Sequence, residues 1–288
     1  MLASAKTMST AVRAVLWMSG AVLSFSTMAI AVRELKPMGP FEILFWRTAI
    51  SFLIVLAFLP RTGVATVRTR RFGLHFLRNA VHFGGQYCWV YAIGALSLAT
   101  VFAIEFTMPV WTAILAALIL HERLTRPRLI MLVLGLIGVL IILRPGALPV
   151  EFAAFVMLLG SLCYAAQFIA TKRLASTESA IAVLFWMSVI QTPVAFVLAL
   201  PHWVHPSGMQ VFWVIAIGCF SFFAHYCITR SLKIGDATLV IPIDFLRLPF
   251  IAVVGALLYA EPFDPMVFVG AVVIFSGTYY SLSRESRR

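Results

Sequence analysis

Ten apolar stretches follow one another along this chain, at 14–32, 41–59, 75–93, 99–120, 129–143, 151–171, 179–200, 210–230, 237–260 and 266–282. Between most of them lie short segments rich in proline, glycine or charge, such as "RELKPMGP", "PRTGVATVRTRR", "RPGALP" and "EPFDP", which break regular structure. About 20 residues of helix cross a hydrocarbon layer of roughly 30 Å, so the pattern predicts ten transmembrane helices, numbered here as spans 1 to 10. The first stretch is long enough to cross and reads as a span rather than as a removed signal.

The same pattern repeats. "ILFWR" at 43–47 returns as "VLFWM" at 183–187, an offset of 140 that also relates Gly20 to Gly160 and Arg33 to Arg173. Further along the offset becomes 139: Tyr87-Cys88 matches Tyr226-Cys227, Glu105-Phe106 matches Asp244-Phe245, and Glu122 matches Glu261. A nearly constant offset over several helices marks two copies of one unit. The chain therefore reads as two five-helix repeats, 14–145 and 151–284. Five is odd, so the second copy enters the membrane from the opposite face. The expected fold is an all-α membrane protein, with ten transmembrane helices in two inverted five-helix repeats. Inverted repeats characterise many alternating-access transporters, which hold substrate near the midplane between the halves.

Composition agrees. The chain is 62% hydrophobic and 11% charged, with a mean hydropathy of +0.99; soluble domains are about 25% charged. The net charge of +11 could suggest a nucleic-acid partner, but its distribution explains it. With both termini placed inside, sixteen of the 22 Lys and Arg fall on the cytoplasmic side and three, Arg33, Lys36 and Arg144, on the other. The remaining three, Arg47, Arg78 and Arg247, lie within spans. That bias fixes cytoplasmic termini in a bacterial-type inner membrane and needs no nucleic acid.

The four cysteines sit in apolar stretches without a CxxC pair, so neither a zinc site nor a disulfide framework is indicated. Nucleophile-elbow, HExxH and phosphate-loop motifs are absent from the sequence. The reading is neither an enzyme nor an ATP-driven pump, with no cofactor and no metal. Rings of like charge or repeated filter segments, which would favour a channel, are not visible either.

"PVWTAILAALILHERL" at 109–124 and "PFIAVVGALLYAEPF" at 249–263 each place a proline, a helix rich in small residues and a glutamate in that order. Together with "GPFEILFWR" at 39–47, they resemble the EamA-type drug/metabolite transporter superfamily over essentially the whole chain. The second copy departs from that pattern with Met187 in place of Arg47, and with "EPFD" where the family more usually has Glu-Arg. The resemblance implies a secondary transporter with spans 1–4 and 6–9 around a central cavity and spans 5 and 10 outside it. Members of the superfamily export amino acids, metabolites or drugs, import vitamins or carry nucleotide sugars.

Polar residues inside spans are costly in hydrocarbon and point to function. On span 3, His82, Gln86 and Trp89 share a face by spacing, with Tyr87 beside them; His225 on span 8 aligns with Gln86. Trp17 and Ser24 on span 1 and Tyr164 and Gln167 on span 6 complete the substrate-binding candidates. The structural alternative is that such groups join neighbouring helices.

Glu105, Asp244, Arg47 and Arg247 are the coupling or gating candidates. Asp244 is spaced for an ion pair with Arg247, Glu105 for neutralisation by Arg47 or Arg78, and Arg47 is expected to meet an acid or a helix-end carbonyl. Glu105 is also the candidate for proton coupling. A cavity with few fixed charges would suit a zwitterionic or aromatic metabolite better than a polyanion. Gly135 and Gly138 mark span 5 as a candidate contact with a second copy in a homo-oligomer, against packing within its own repeat. The expected function is export of amino acids or related small metabolites by alternating access; the second reading is a broad-specificity exporter of hydrophobic drugs.

Overall fold

The structure, a computed structural model, describes residues 10–120, 124–145, 150–175, 177–234 and 243–285. The helices are α1 (Thr10–Glu34), α2 (Pro40–Thr62), α3 (Phe72–Ala95), α4 (Leu98–Glu105), α5 (Met108–Leu120), α6 (Arg126–Leu143), α7 (Phe152–Ala175), α8 (Ala180–Ala199), α9 (Met209–Ile234), α10 (Arg247–Tyr259) and α11 (Pro265–Glu285). Glu122, the repeat partner of Glu261, lies outside the described residues.

Among the described residues, eight segments are long and apolar enough to cross a membrane, with α4 and α5 counted together over Leu98–Ile119. Span 3 forms α3, which is 24 residues long, yet is not among the eight. Its inward face carries His75, Arg78, Asn79, His82 and Gln86, all buried, so burial inside the protein replaces apolarity. Span 9 is described only from Ile243 onward, and α10 is a shorter apolar helix.

Capping fixes several boundaries. Ser97, Thr125 and Ser179 each accept a backbone N–H three residues on, at the starts of α4, α6 and α8, satisfying a donor that the helix cannot.

Two spans predicted as continuous are interrupted. The helix of span 4 stops at Glu105 and restarts at Met108 after a turn at Phe106-Thr107. Span 9 turns at Phe245-Leu246, with helix before it at Ile243-Asp244 and α10 after it. Proline explains the position: its ring clashes with the carbonyl four residues back and its nitrogen donates nothing. Pro109 thus disables the carbonyl of Glu105, and Pro249 that of Phe245. At the first break the Ile104 carbonyl is taken up by Thr107 N at 3.0 Å, Thr107 Oγ1 at 2.7 Å and Ser161 Oγ of α7 at 3.1 Å.

The two halves interleave. The main helix pairings are α1 with α9, α3 with α7, α2 with α8, and α6 with α11. Exchanging the halves swaps the first two pairings and maps each of the others onto itself. Contact details follow the same exchange. A Cβ on Gly20 would lie 3.2 Å from Cys227 Sγ, and one on Gly160 would lie 2.9 Å from Cys88 Cβ. Gly20 and Gly160 are repeat partners, as are Cys88 and Cys227, and all four cysteines are free thiols.

Gly135 and Gly138, considered for contact with a second copy, are occupied within the chain. Gly135 faces Val110 of α5, and Gly138 faces Gly270 and Ile274 of α11. Close approach of α6 to its own neighbours uses this face.

Candidate functional site

Side chains from five helices meet in a buried polar core. On α3, Arg78, Asn79, His82 and Gln86 follow helical spacing, so they project on one side and are at most 7% exposed. Gln191 of α8 sits against them: its Nε2 donates to the Asn79 carbonyl at 3.0 Å and stands 3.0 Å from His82 Nδ1. The other ring nitrogen, His82 Nε2, is 3.0 Å from the Gln86 amide.

These contacts determine the ring's protons. Because Gln191 donates to a carbonyl and to the imidazole through the same nitrogen, His82 Nδ1 must accept. A neutral imidazole then carries its hydrogen on Nε2; the Gln86 atom facing it is the amide Nε2, and a half-turn of that amide brings the unpartnered Oε1 there as the acceptor. With the amide so turned, the network satisfies a neutral His82. The ring of His225 on α9 lies edge-on at 5.8 Å between centroids, and that of Tyr164 on α7 is tilted at 6.2 Å.

Two guanidiniums enter this core without a carboxylate. Arg78 donates from Nε to Thr171 Oγ1 at 3.3 Å and from Nη1 to Asn79 Oδ1 at 2.7 Å. Thr171 Oγ1 also receives Gln167 Nε2 at 2.8 Å. Arg47 is 1% exposed and donates from Nε to Ser221 Oγ of α9 at 2.8 Å; its Nη1 and Nη2 are buried without a partner. Among the described residues the expected acid or helix-end carbonyl does not meet it, because α2 packs Arg47 against a hydroxyl of α9. Arg47 is in electrostatic contact with Arg78, Tyr164, His82 and His225.

The acids lie beside the helix breaks instead. Arg247, the first residue of α10, pairs with Asp244 Oδ2 at 2.8 Å and with Glu105 Oε1 at 3.3 Å. Phe25, Phe102 and Phe106 surround its guanidinium, with ring centroids 5.0, 5.4 and 5.3 Å from Cζ. Glu105, expected to be neutralised from Arg47 or Arg78, is instead neutralised from the other half, and its Oε2 accepts Trp89 Nε1 at 2.9 Å.

Of the substrate-binding candidates, His82, Gln86, Tyr164, Gln167 and His225 come together with Arg47. Trp89 turns to Glu105 and the ring of Phe102. Tyr87 is rotated off the His82 face by its position one residue past Gln86, and stacks on Phe41 and Tyr91. Trp17 packs edge-on to Tyr226 and beneath Arg230. Ser24 returns its hydroxyl to the Gly20 carbonyl at 2.7 Å, so its hydrogen is used within α1.

Sequence reasoning did not select Arg78, Asn79, Thr171, Gln191 or Ser221 as site residues. A signal existed for two of them. Ser221 is the repeat partner of His82, and Gln191 stands one helical turn beyond Met187, the partner of Arg47.

Both ends above and below this core are tied. At the basic-poor end Arg33 binds Glu261 at 2.6 Å and the Leu96 carbonyl, while Glu261 Oε2 accepts Leu98 N at 2.9 Å. Arg144 also pairs with Asp264 there. At the basic-rich end Glu178 meets His75 at 3.2 Å and the Thr69 hydroxyl, and Arg71 Nη1 donates to the Arg173 carbonyl at 3.0 Å.

A multi-span helical membrane protein with interrupted helices around a buried polar core has the build of a transporter. The chain belongs to the EamA-like transporter family, whose profile matches it twice, over residues 12–144 and 151–283. It is 30% identical over 250 residues to a riboflavin transporter of Brucella anthropi, covering 85% of this chain and 88% of that protein. It is 26% identical over 247 residues to an S-adenosylmethionine uptake transporter of Rickettsia prowazekii, covering 86% and 84%. A pseudopaline exporter of Pseudomonas aeruginosa is 28% identical over 259 residues, covering 88% and 90%. A crystal structure with 16% identity superposes with a TM-score of 0.67 over 93% of this chain and 95% of the other, a likeness of fold. The protein is thus a membrane transporter.

Proposed function

We propose that the chain is a secondary transporter of a bacterial-type inner membrane, built from two inverted halves with cytoplasmic termini, and that it moves amino acids or related small metabolites outward by alternating access. The observation that carries this reading is the pair of helix breaks beside the buried polar core. Arg247 of one half is clamped there by Glu105, Phe102 and Phe106 of the other. Non-helical backbone at membrane depth is tolerated only where protein or a wet cavity encloses it, and transporters place substrate sites at such breaks.

The exchange symmetry of the helix pairings supports inverted halves, because each half can then take the other's shape. Ties at both ends correspond to a closed intermediate: releasing the Arg33–Glu261 set would admit solvent from one side, and releasing the Glu178 set from the other. His82, Gln86, Tyr164, Gln167 and His225 would contact the substrate, with Arg247, Glu105 and Asp244 forming the joint between halves. The outward direction follows the resemblance to metabolite exporters, the pseudopaline exporter among them. Relatives named for uptake make direction the quantity to measure.

Purified protein in liposomes preloaded with one amino acid should show saturable counterflow of the labelled compound, tested over a panel of amino acids, riboflavin and cationic dyes. Linear flux with concentration would identify a channel instead. Dye movement without amino-acid movement would replace the metabolite reading with that of a drug exporter.

A further inference from the structure

Among the described residues, the polar core has a charge imbalance that its own groups do not resolve. The core and the helix breaks beside it together hold, among the described residues, three guanidiniums, Arg47, Arg78 and Arg247, and two carboxylates, Glu105 and Asp244. Both carboxylates pair with Arg247, which leaves Arg47 and Arg78 with neutral partners only. A buried cation without a counter-charge is among the most expensive groups a protein can hold, and more so within a membrane.

Arg47 shows where the counter-charge belongs. Ser221 occupies its Nε at 2.8 Å and so fixes the plane of the guanidinium. The two terminal nitrogens, Nη1 and Nη2, are buried and unpartnered. An unpartnered end of this kind presents two parallel N–H donors, the spacing at which a carboxylate accepts through both oxygens. Among the described residues, the groups within electrostatic reach of Arg47 besides Arg78 include a phenol and two imidazoles, and none of these competes as an anion.

We infer that the transported molecule carries a carboxylate, and that Arg47 receives it end-on, with the nearby charge of Arg78 adding attraction. The inference rests on the reading of this core as the transport site. Counted over the core and the adjoining Arg247 cluster, whose two carboxylates face one guanidinium, one negative charge balances the described residues, so a monocarboxylate fits better than a dianion such as a phosphate monoester. The identity of position 187 agrees. In the other half Met187 replaces arginine, so the pair of repeats provides one such fork and binds one such group.

The test is thermal stabilisation of the purified full-length protein by matched acid and amide pairs: 3-phenylpropionate against 3-phenylpropionamide, and L-leucine and L-phenylalanine against their amides. A ligand that binds only the folded state raises the melting temperature. The acids should stabilise saturably and the amides should not, with sodium phosphate and sodium chloride at equal concentration giving no comparable effect. Arg47→Gln should abolish the preference for acids. Arg47→Lys, which keeps the cation and loses the fork, should weaken acid binding about tenfold or more, and it decides the matter if Arg47→Gln does not fold.

Equal stabilisation by amides, an acid preference that survives in both variants, or no stabilisation by any acid overturns the inference. Phosphate or chloride as effective as the acids would mean an inorganic-anion site and overturn it as well. Acid binding through Arg47 without counterflow in liposomes would remove the transport reading and leave the carboxylate site standing.

Discussion

The rings of Phe106 and Phe245 stack with centroids 4.1 Å apart and planes 22° from parallel, and the two residues occupy the same position in the two repeats. Each is the first residue of a helix break. The breaks therefore touch, and the contact joins the halves beside the charged cluster that Arg247 organises.

This contact should behave as a coupled pair. Aromatic pairs of such geometry contribute about 0.5–1.5 kcal/mol beyond the area they bury. In a double-mutant cycle of Phe106→Leu and Phe245→Leu, thermal unfolding should return a coupling of that order. Strict additivity would mean that the rings only share a cavity wall.

Arg247 should be the most sensitive position in the joint. Arg247→Met leaves Glu105 and Asp244 facing each other without a cation, and breaking a buried pair from one side costs about 3–5 kcal/mol. Neutralising both acids as well, with Glu105→Gln and Asp244→Asn, should restore much of the lost melting temperature. If the triple variant melts no higher than Arg247→Met, the cluster is held by packing of the rings and not by charge.

Glu261 does two separable things at the basic-poor end. It pairs with Arg33 and accepts the free N–H of Leu98 at the start of α4, a donor that no helix can satisfy internally. Glu261→Gln keeps an acceptor for Leu98, whereas Glu261→Ala removes it. Hydrogen exchange in the peptide around 96–102 should quicken in the alanine variant and change little in the glutamine variant. Equal exchange in the two would show that the Leu98 contact does not hold this end.

Two glycines should differ sharply. A Cβ on Gly138 would lie 2.6 Å from the Gly270 carbonyl oxygen, which is backbone and cannot rotate aside, so Gly138→Ala should cost about 1–3 kcal/mol. On Gly20 the new methyl would meet Cys227 Sγ at 3.2 Å, a side chain able to shift. Gly20→Ala should then be near neutral, since removing a helical glycine itself gains roughly 0.5–1 kcal/mol. Matching melting temperatures for the two variants would contradict the close α6–α11 approach.

The sequence by itself determined that this chain lives in a bilayer and that it contains one unit twice. Hydrocarbon demands long apolar helices, and the LFW phrases and the Glu105–Asp244 match survive as spacing in the text. It also marked His82, Gln86 and His225, because a polar group in a span is visible wherever it points. The ion pair of Asp244 with Arg247 was legible for the same reason, being three residues long.

Only the tertiary structure decided which polar groups meet. Tyr87 and Trp89 stand next to Gln86 in the chain and turn elsewhere, because one residue is a large rotation around a helix. Glu105 lies closer in sequence to Arg47 and Arg78 than to Arg247, yet Arg247 reaches it through the contact of α10 with α4. Arg47 was expected to meet an acid or a helix-end carbonyl and found Ser221, with its two terminal nitrogens left unpartnered. Partner choice between distant helices depends on how the interleaved halves seat against one another. Spacing along the chain fixes neither that seating nor the charge it leaves unbalanced at the centre.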